Sequence, residues 1–179
     1  MKKTLLAVVM AAAAGFSGVV PRANAAAGDS IKFNMVHADG ATCIPATSHA
    51  RVTITDQGPV QKMHIEAFQL TPNTSFTTFI VQHSARPFGL SWYQGEIETD
   101  SRGRGVADFT GIFSAETFVL ADTAIPMAHI GIWYADPVDA ANAGCPNIVT
   151  PFDGDHEAGI LVLSTGNFAD DKGPLLRLK

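Results

Sequence analysis

The residues most suggestive of chemistry are Asp153-Gly154-Asp155-His156-Glu157. Carboxylates at alternating positions can turn their oxygens onto a hard cation such as Ca²⁺. An EF-hand loop needs its glycine sixth and a closing bidentate Glu, and this segment has neither. A His-Glu-x-x-His zinc motif fails as well, because Ile160 stands where the second histidine belongs. Asp153, Asp155, His156 and Glu157 are therefore a candidate metal site, to be set against a plain charged turn before an apolar run. The six histidines include no His-x-His or His-x₃-His pair. A site assembled from distant residues such as His37, His129 and His156 stays open. No Gly-x-Ser-x-Gly elbow is present, and Ser91 and Ser164 stand in ordinary contexts. Glu96 and Glu98 share one face of a strand, where an acidic solvated surface is a simpler reading than an acid–base pair. The remaining chemistry is aromatic. Trp92-Tyr93 and Trp133-Tyr134 are adjacent pairs on expected strands, so one member of each faces away from the other. If both tyrosines pack inward, Trp92 and Trp133 lie on an outer face and form a platform for a sugar or a protein. Arg86 and Phe88 in the Arg86–Phe88 loop, with the Asp136–Asn142 loop, complete that candidate surface.

Strands must carry these groups. Met63, Ile65 and Ala67 alternate with Lys62, His64 and Glu66, the period of a half-buried strand. Phe68 and Leu70 break the phase, which predicts a bulge or a strand end buried on both sides. Thr71-Pro72-Asn73 turns the chain, and Phe76 to Val81 is β-branched and aromatic. Strands are also expected over 31–36, around Val52 and Ile54, within Leu90–Thr99, from Ala107 through Phe113, around Ile130 to Tyr134, and over Ile160–Leu163. Phe118 to Ala124 is ambiguous. Asp100-Ser101-Arg102-Gly103 reads as a hairpin turn. Asp136-Pro137-Val138-Asp139 has the cap, first-turn proline and acidic residue of a helix start, with Gly144 ending a single helical turn. Turn residues every eight to twelve positions and almost no helical period predict an all-β fold. The expectation is an antiparallel Greek-key β-sandwich of about seven to nine strands with one short helical turn.

Leu70-Thr71-Pro72-Asn73-Thr74-Ser75-Phe76 resembles the Leu-x-Pro-x-Thr-x-Tyr corner of fibronectin type III and related immunoglobulin-like domains. In that family the tyrosine hydroxyl bonds back to upstream backbone. Phe76 stands at the tyrosine position and has no hydroxyl, so that bond cannot form. Copper–zinc superoxide dismutase is a similar exported Greek-key protein with a Leu-x-Pro corner. It places a His-x-His pair in the strand after the corner; Phe76 to Val81 holds none and His83 stands alone, which argues against a copper site.

Lys2 and Lys3, the apolar run Leu5–Val20 and Ala23-Asn24-Ala25 have the form of an export signal, with cleavage after Ala25. Residues 26–179 then form one expected domain with no transmembrane segment, periplasmic or extracellular. Removing Lys2, Lys3 and Arg22 leaves nine of the 12 basic residues against 17 acids, a formal charge of −8. That disfavours nucleic acid as a partner. Cys43 and Cys145, an even pair in an exported chain, are expected to form a disulfide. The leading expectation is an exported, non-enzymatic binding or envelope-associated protein for an unknown protein or glycan, with no cofactor. The alternatives are a metal-binding protein using the acidic segment, with or without hydrolytic activity, and a purely structural subunit.

Overall fold

The computed structural model describes residues 28–114, 118–120, 123–151 and 157–178; the expected export signal lies outside them. The first half is a run of antiparallel strands: β1 (Ser30–His37), β2 (His49–Asp56), β3 (Gln61–Phe68), β4 (Ser75–Val81), β5 (Ser91–Glu98) and β6 (Gly105–Gly111). Two three-residue strands, β7 (Phe118–Leu120) and β8 (Thr123–Ile125), pair as a separate hairpin over the ambiguous stretch. Then come β9 (His129–Tyr134), the short helix α1 (Pro137–Asn142), the paired β10 (Thr150–Pro151) and β11 (Glu157–Ala158), and β12 (Leu161–Ser164). The main sheet has eight strands in the order β5-β4-β9-β12-β1-β2-β3-β6. Thr99 bridges Gly105, so the first and last strands of that order meet at one end. The sheet thus rolls onto itself as a barrel-like sandwich. Side chains from all eight strands meet in one interior, among them Met35, Ile54, Ile65, Phe76, Ile97, Phe109, Ile132 and Leu163. The Greek-key links are β3 to β4 and β6 to β9, which join strands that are not neighbours.

Alternation explains most of this. β3 buries Gln61, Met63, Ile65 and Ala67 and turns Lys62, His64, Glu66 and Phe68 outward. The phase break at Phe68 is a strand end, not a bulge. Gln69 takes a left-handed φ of 61°, which returns Leu70 to the core. Phe68 stays outside, stacked on His49 at 5.0 Å with the Arg51 guanidinium 5.2 Å from its ring centre. The expected hairpin turn forms: Asp100 Oδ1 accepts from the amides of Arg102 and Arg104 at 2.8 and 2.9 Å. Those bonds hold the exposed Asp100 carboxyl below the usual carboxylate range. Gly103, at φ 71°, lies so close to Leu70 that a Cβ would strike its carbonyl. Helix α1 starts as read, with Asp136 capping Val138 N at 2.7 Å. It delivers Cys145 to Cys43, and the disulfide spans 102 positions.

The corner regains its hydroxyl from another strand. Tyr134 of β9 lies opposite Phe76 of β4, ring centres 4.7 Å apart. Its hydroxyl bonds Thr71 Oγ1 and lies 3.3 Å from Cys43 Sγ. A disulfide sulfur has no proton, so Tyr134 donates to Sγ and Thr71 donates to Tyr134. One buried phenol therefore joins the corner, β9 and the disulfide.

Two substitutions and one reduction test this frame by urea denaturation. Tyr134→Phe should cost about 1 kcal/mol, a normal net hydrogen bond. Reducing the disulfide should cost roughly 2–5 kcal/mol through the freed unfolded chain. Gly131→Ala should cost about 1–3 kcal/mol by overpacking, because a Cβ there runs into the Trp133 ring. A neutral Gly131→Ala would mean that the indole is not fixed.

Candidate functional site

Strand β9 is buried along its whole length. Ile130, Ile132 and Tyr134 face the barrel interior. Trp133 faces outward, into a second cluster with Phe79, Val81 and Ala158, against which Phe88 and Leu161 pack. The indole meets Phe79 and Phe88 edge-on, at 5.5 and 5.2 Å between ring centres. Gly131 leaves the space for it. The expected outward direction of Trp133 is right, but its exposure is not. The loop between β4 and β5 and the segment around Ala158 cover it completely, at 0% exposure. It belongs to no open platform.

The β5 pair is inverted relative to the expectation. Tyr93 lies opposite Phe79 and therefore outward, while Trp92 lies opposite Ile80, on the inward side at the strand's end. The cause is a register shift between Thr78 and Phe79: Gly95 pairs with Thr78 and Tyr93 with Phe79, so Gln94 is the extra residue. A single inserted residue flips every side chain beyond it. Trp92 remains 54% exposed and Tyr93 47%. Burial and the nearby Glu96 carboxylate raise the Tyr93 hydroxyl above its usual range.

A cleft of about 580 Å³ lies beside the Trp133 cluster. Its floor is the outer face of two paired strands: Val36 of β1 lies opposite Ser164 of β12, with Leu161 alongside. One wall is the loop after β4, with Ser84, Arg86 and Phe88. Facing it are His37 at the end of β1, Asp39 in the turn that follows, and Gly166 and Asn167 in the turn after β12. Ile148 and Ile160 add apolar surface. Arg86 is fixed, not trailing in solvent. Its Nη2 donates to Thr150 Oγ1 at 2.8 Å, and Thr150 donates in turn to Gly159 O at 2.8 Å. Its guanidinium sits 5.6 Å from the Phe88 ring centre, a cation–π distance. The β4–β5 loop, β10 and the residue that follows β11 are thereby tied around one positive charge.

Of the four expected binding residues, Arg86 and Phe88 line the cleft, Trp133 is buried behind Phe88, and Trp92 is exposed elsewhere. The expected Asp136–Asn142 loop is α1 with its cap and is not part of the cleft. Val36 was the overlooked signal, an apolar residue on the face that carries Lys32 and Asn34.

The expected cation site lies largely outside the described residues: Asp153, Asp155 and His156 do, and Glu157 is exposed at the start of β11. Among the described residues no three His, Cys, Asp or Glu side chains are grouped to hold a metal ion. His37 Nε2 bonds Ala41 O at 3.0 Å. His64 Nδ1 lies 2.8 Å from Asp108, which also pairs with Lys62 at 3.2 Å; these bonds hold the exposed Asp108 carboxyl low. No helix among the described residues is long and apolar enough to cross a membrane. Neither a scan against protein-family models nor a search of curated proteins returns a match. The chain is thus defined by its fold class, an antiparallel all-β Greek-key domain stapled by one disulfide.

The tryptophans should separate in fluorescence. The Trp92→Phe protein, left with Trp133, should emit at short wavelength and resist acrylamide. Wild type should show an additional, readily quenched component from Trp92. Strong quenching of the Trp92→Phe protein would contradict the burial of Trp133.

Proposed function

We propose that this chain is an exported, non-enzymatic binding protein. Its ligand is a small amphipathic molecule or group, with an apolar body on Val36, Leu161 and Phe88 and an anionic end at Arg86. The observation that carries this reading is the cleft. Its 580 Å³ falls within the range of small-ligand sites, about 300–1,000 Å³. Apolar walls with a few fixed polar groups are the usual composition of such sites. Arg86 is preorganised by Thr150 and Phe88, so less side-chain freedom is lost when an anion meets it. Export is supported by the form of the leader and by the Cys43–Cys145 disulfide, which persists in oxidising compartments. The corner's resemblance to fibronectin type III and immunoglobulin-like domains supports the same broad class, exported β-domains that bind through their loops.

The test is a ¹H–¹⁵N titration of the oxidised protein with alkyl and aryl carboxylates, and with the matching alcohols. Carboxylates should shift the amides of Val36, Arg86 and Asn167, and the alcohols should do so more weakly. Val36→Glu should weaken carboxylate binding at least about tenfold at nearly unchanged stability, since Val36 is a partly exposed surface residue. Shifts confined to Trp92 and Tyr93 would move the site to β5, and no shifts at all would sink the anionic reading.

A further inference from the structure

His129 opens strand β9 and is completely buried, at 0% exposure. Both ring nitrogens have partners. Nδ1 lies 2.9 Å from Thr165 Oγ1, and Nε2 lies 3.3 Å from the Asp170 carbonyl. A carbonyl can only accept, so Nε2 carries the proton. Nδ1 then accepts from the Thr165 hydroxyl in the neutral ring. Thr165 Oγ1 also receives the Ile130 amide at 3.2 Å. Asp170 is a junction. Its carboxylate meets His83 Nδ1 at 3.2 Å and the Ser84 amide at 3.4 Å, both from the loop that forms one wall of the cleft. Its main chain belongs to the segment that continues from the opposite wall, Gly166 and Asn167.

We propose that His129, acting through Thr165 and Asp170, is a proton-sensitive latch that fastens the two walls of the cleft, and that the latch loosens in acid. A protonated Nδ1 can no longer accept from Thr165. The Thr165 proton must then turn to Ile130 O, at a long 3.4 Å. The charged groups facing the ring are His83 on the loop, which opposes a second positive charge, and the Asp170 carboxylate, 3.7 Å from Nε2, which favours one. Burial outweighs the carboxylate and depresses His129 below its ordinary value of 6.5. An undocked His129 binds protons more readily than the docked one, so docking is at full strength above about pH 6.5. Below that it weakens, by up to about tenfold per pH unit, until the depressed pKa is reached. The consequence for a ligand rests on the binding reading above, whereas the latch itself is readable in the ligand-free protein.

The experiment is a ¹H–¹⁵N titration of the ligand-free, oxidised protein from pH 8 to 4.5, following the His129 ring and the Ser84 and Asn167 amides. Both walls should move together, with one midpoint below 6.5 shared with His129. His129→Gln keeps an N–H for the Asp170 carbonyl and removes the titrating site, so it should abolish the transition. His83→Asn keeps a donor for the Asp170 carboxylate and should leave the transition in place. The latch is overturned if the wild-type walls do not respond, or if their response survives His129→Gln. A response that vanishes in His83→Asn overturns it too. Should His129→Gln fail to fold, wild type and His83→Asn alone still decide the matter. A functioning latch beside a cleft that binds no carboxylate would sink the ligand reading and leave the latch standing.

Discussion

Strand β9 has no solvent face. Its inner residues Ile130, Ile132 and Tyr134 complete the barrel core, and its outer residues His129, Gly131 and Trp133 are equally sealed. A strand buried on both sides needs a second layer over its outer face. Here that layer is Phe88 from the β4–β5 connection and Ala158 of the short β11, with Leu161 of the neighbouring β12 packed alongside. Buried loops must satisfy their backbone groups, and these do so with His83 N on Phe88 O, Gln82 N on Leu90 O, and Thr150 on Gly159 O. The cleft is what remains where this layer stops short of β1. Its existence and its position follow from how far the loops must reach to cover Trp133.

The inner side of the same strand is anchored by Tyr134. Its ring packs on Phe76 and its hydroxyl joins Thr71 to the disulfide sulfur. Burial raises the Tyr134 pKa above its ordinary value, so the phenol stays protonated and can act as a donor. In the corner that the sequence resembles, a tyrosine on the corner's own strand supplies the hydroxyl. Here the neighbouring strand does, and Phe76 keeps only the packing half of the role. The substitution is physically reasonable because Phe76 and Tyr134 are directly opposed in register, so moving the hydroxyl from one to the other displaces it by about one interstrand spacing.

Local pattern was legible in the sequence wherever one residue's neighbours decide its environment. The alternation of β3, the Asp100 turn, the Asp136 cap and the cysteine pair all belong to this kind. Phe68 and Leu70 were ambiguous because their phase depends on one left-handed residue, Gln69, and glutamine carries no signal for that conformation. The inverted Trp92–Tyr93 pair had a similar origin in Gln94, whose only sequence mark is the following glycine. The burial of Trp133 depends on chain some 25 residues later and some 45 earlier, and no period reports that. Yet His129 to Tyr134 contains only apolar residues apart from its first, and that run is the ordinary mark of two-sided burial. The cleft was the least legible feature, since its lining comes from four separated segments. Only Arg86 and Phe88, side by side in one loop, could be singled out beforehand.

Two-sided burial also separates what holds the molecule together from what it can use for recognition. The barrel interior draws on all eight strands, the disulfide and the corner, and a change in one loop leaves most of those contacts intact. The outer layer rests on a few groups: the Trp133 cluster, the Arg86–Thr150–Gly159 chain and the Asp170 junction. Local stability should therefore be lower in the outer layer than in the interior, because fewer apolar contacts and more partly exposed hydrogen bonds hold it. Binding regions tend to be drawn from that low-stability end of a structure. The fold thus provides a rigid floor, Val36 and Ser164 on paired strands, beneath walls that a few polar contacts can fasten or release. A cleft arranged in this way can change its width without the barrel changing shape.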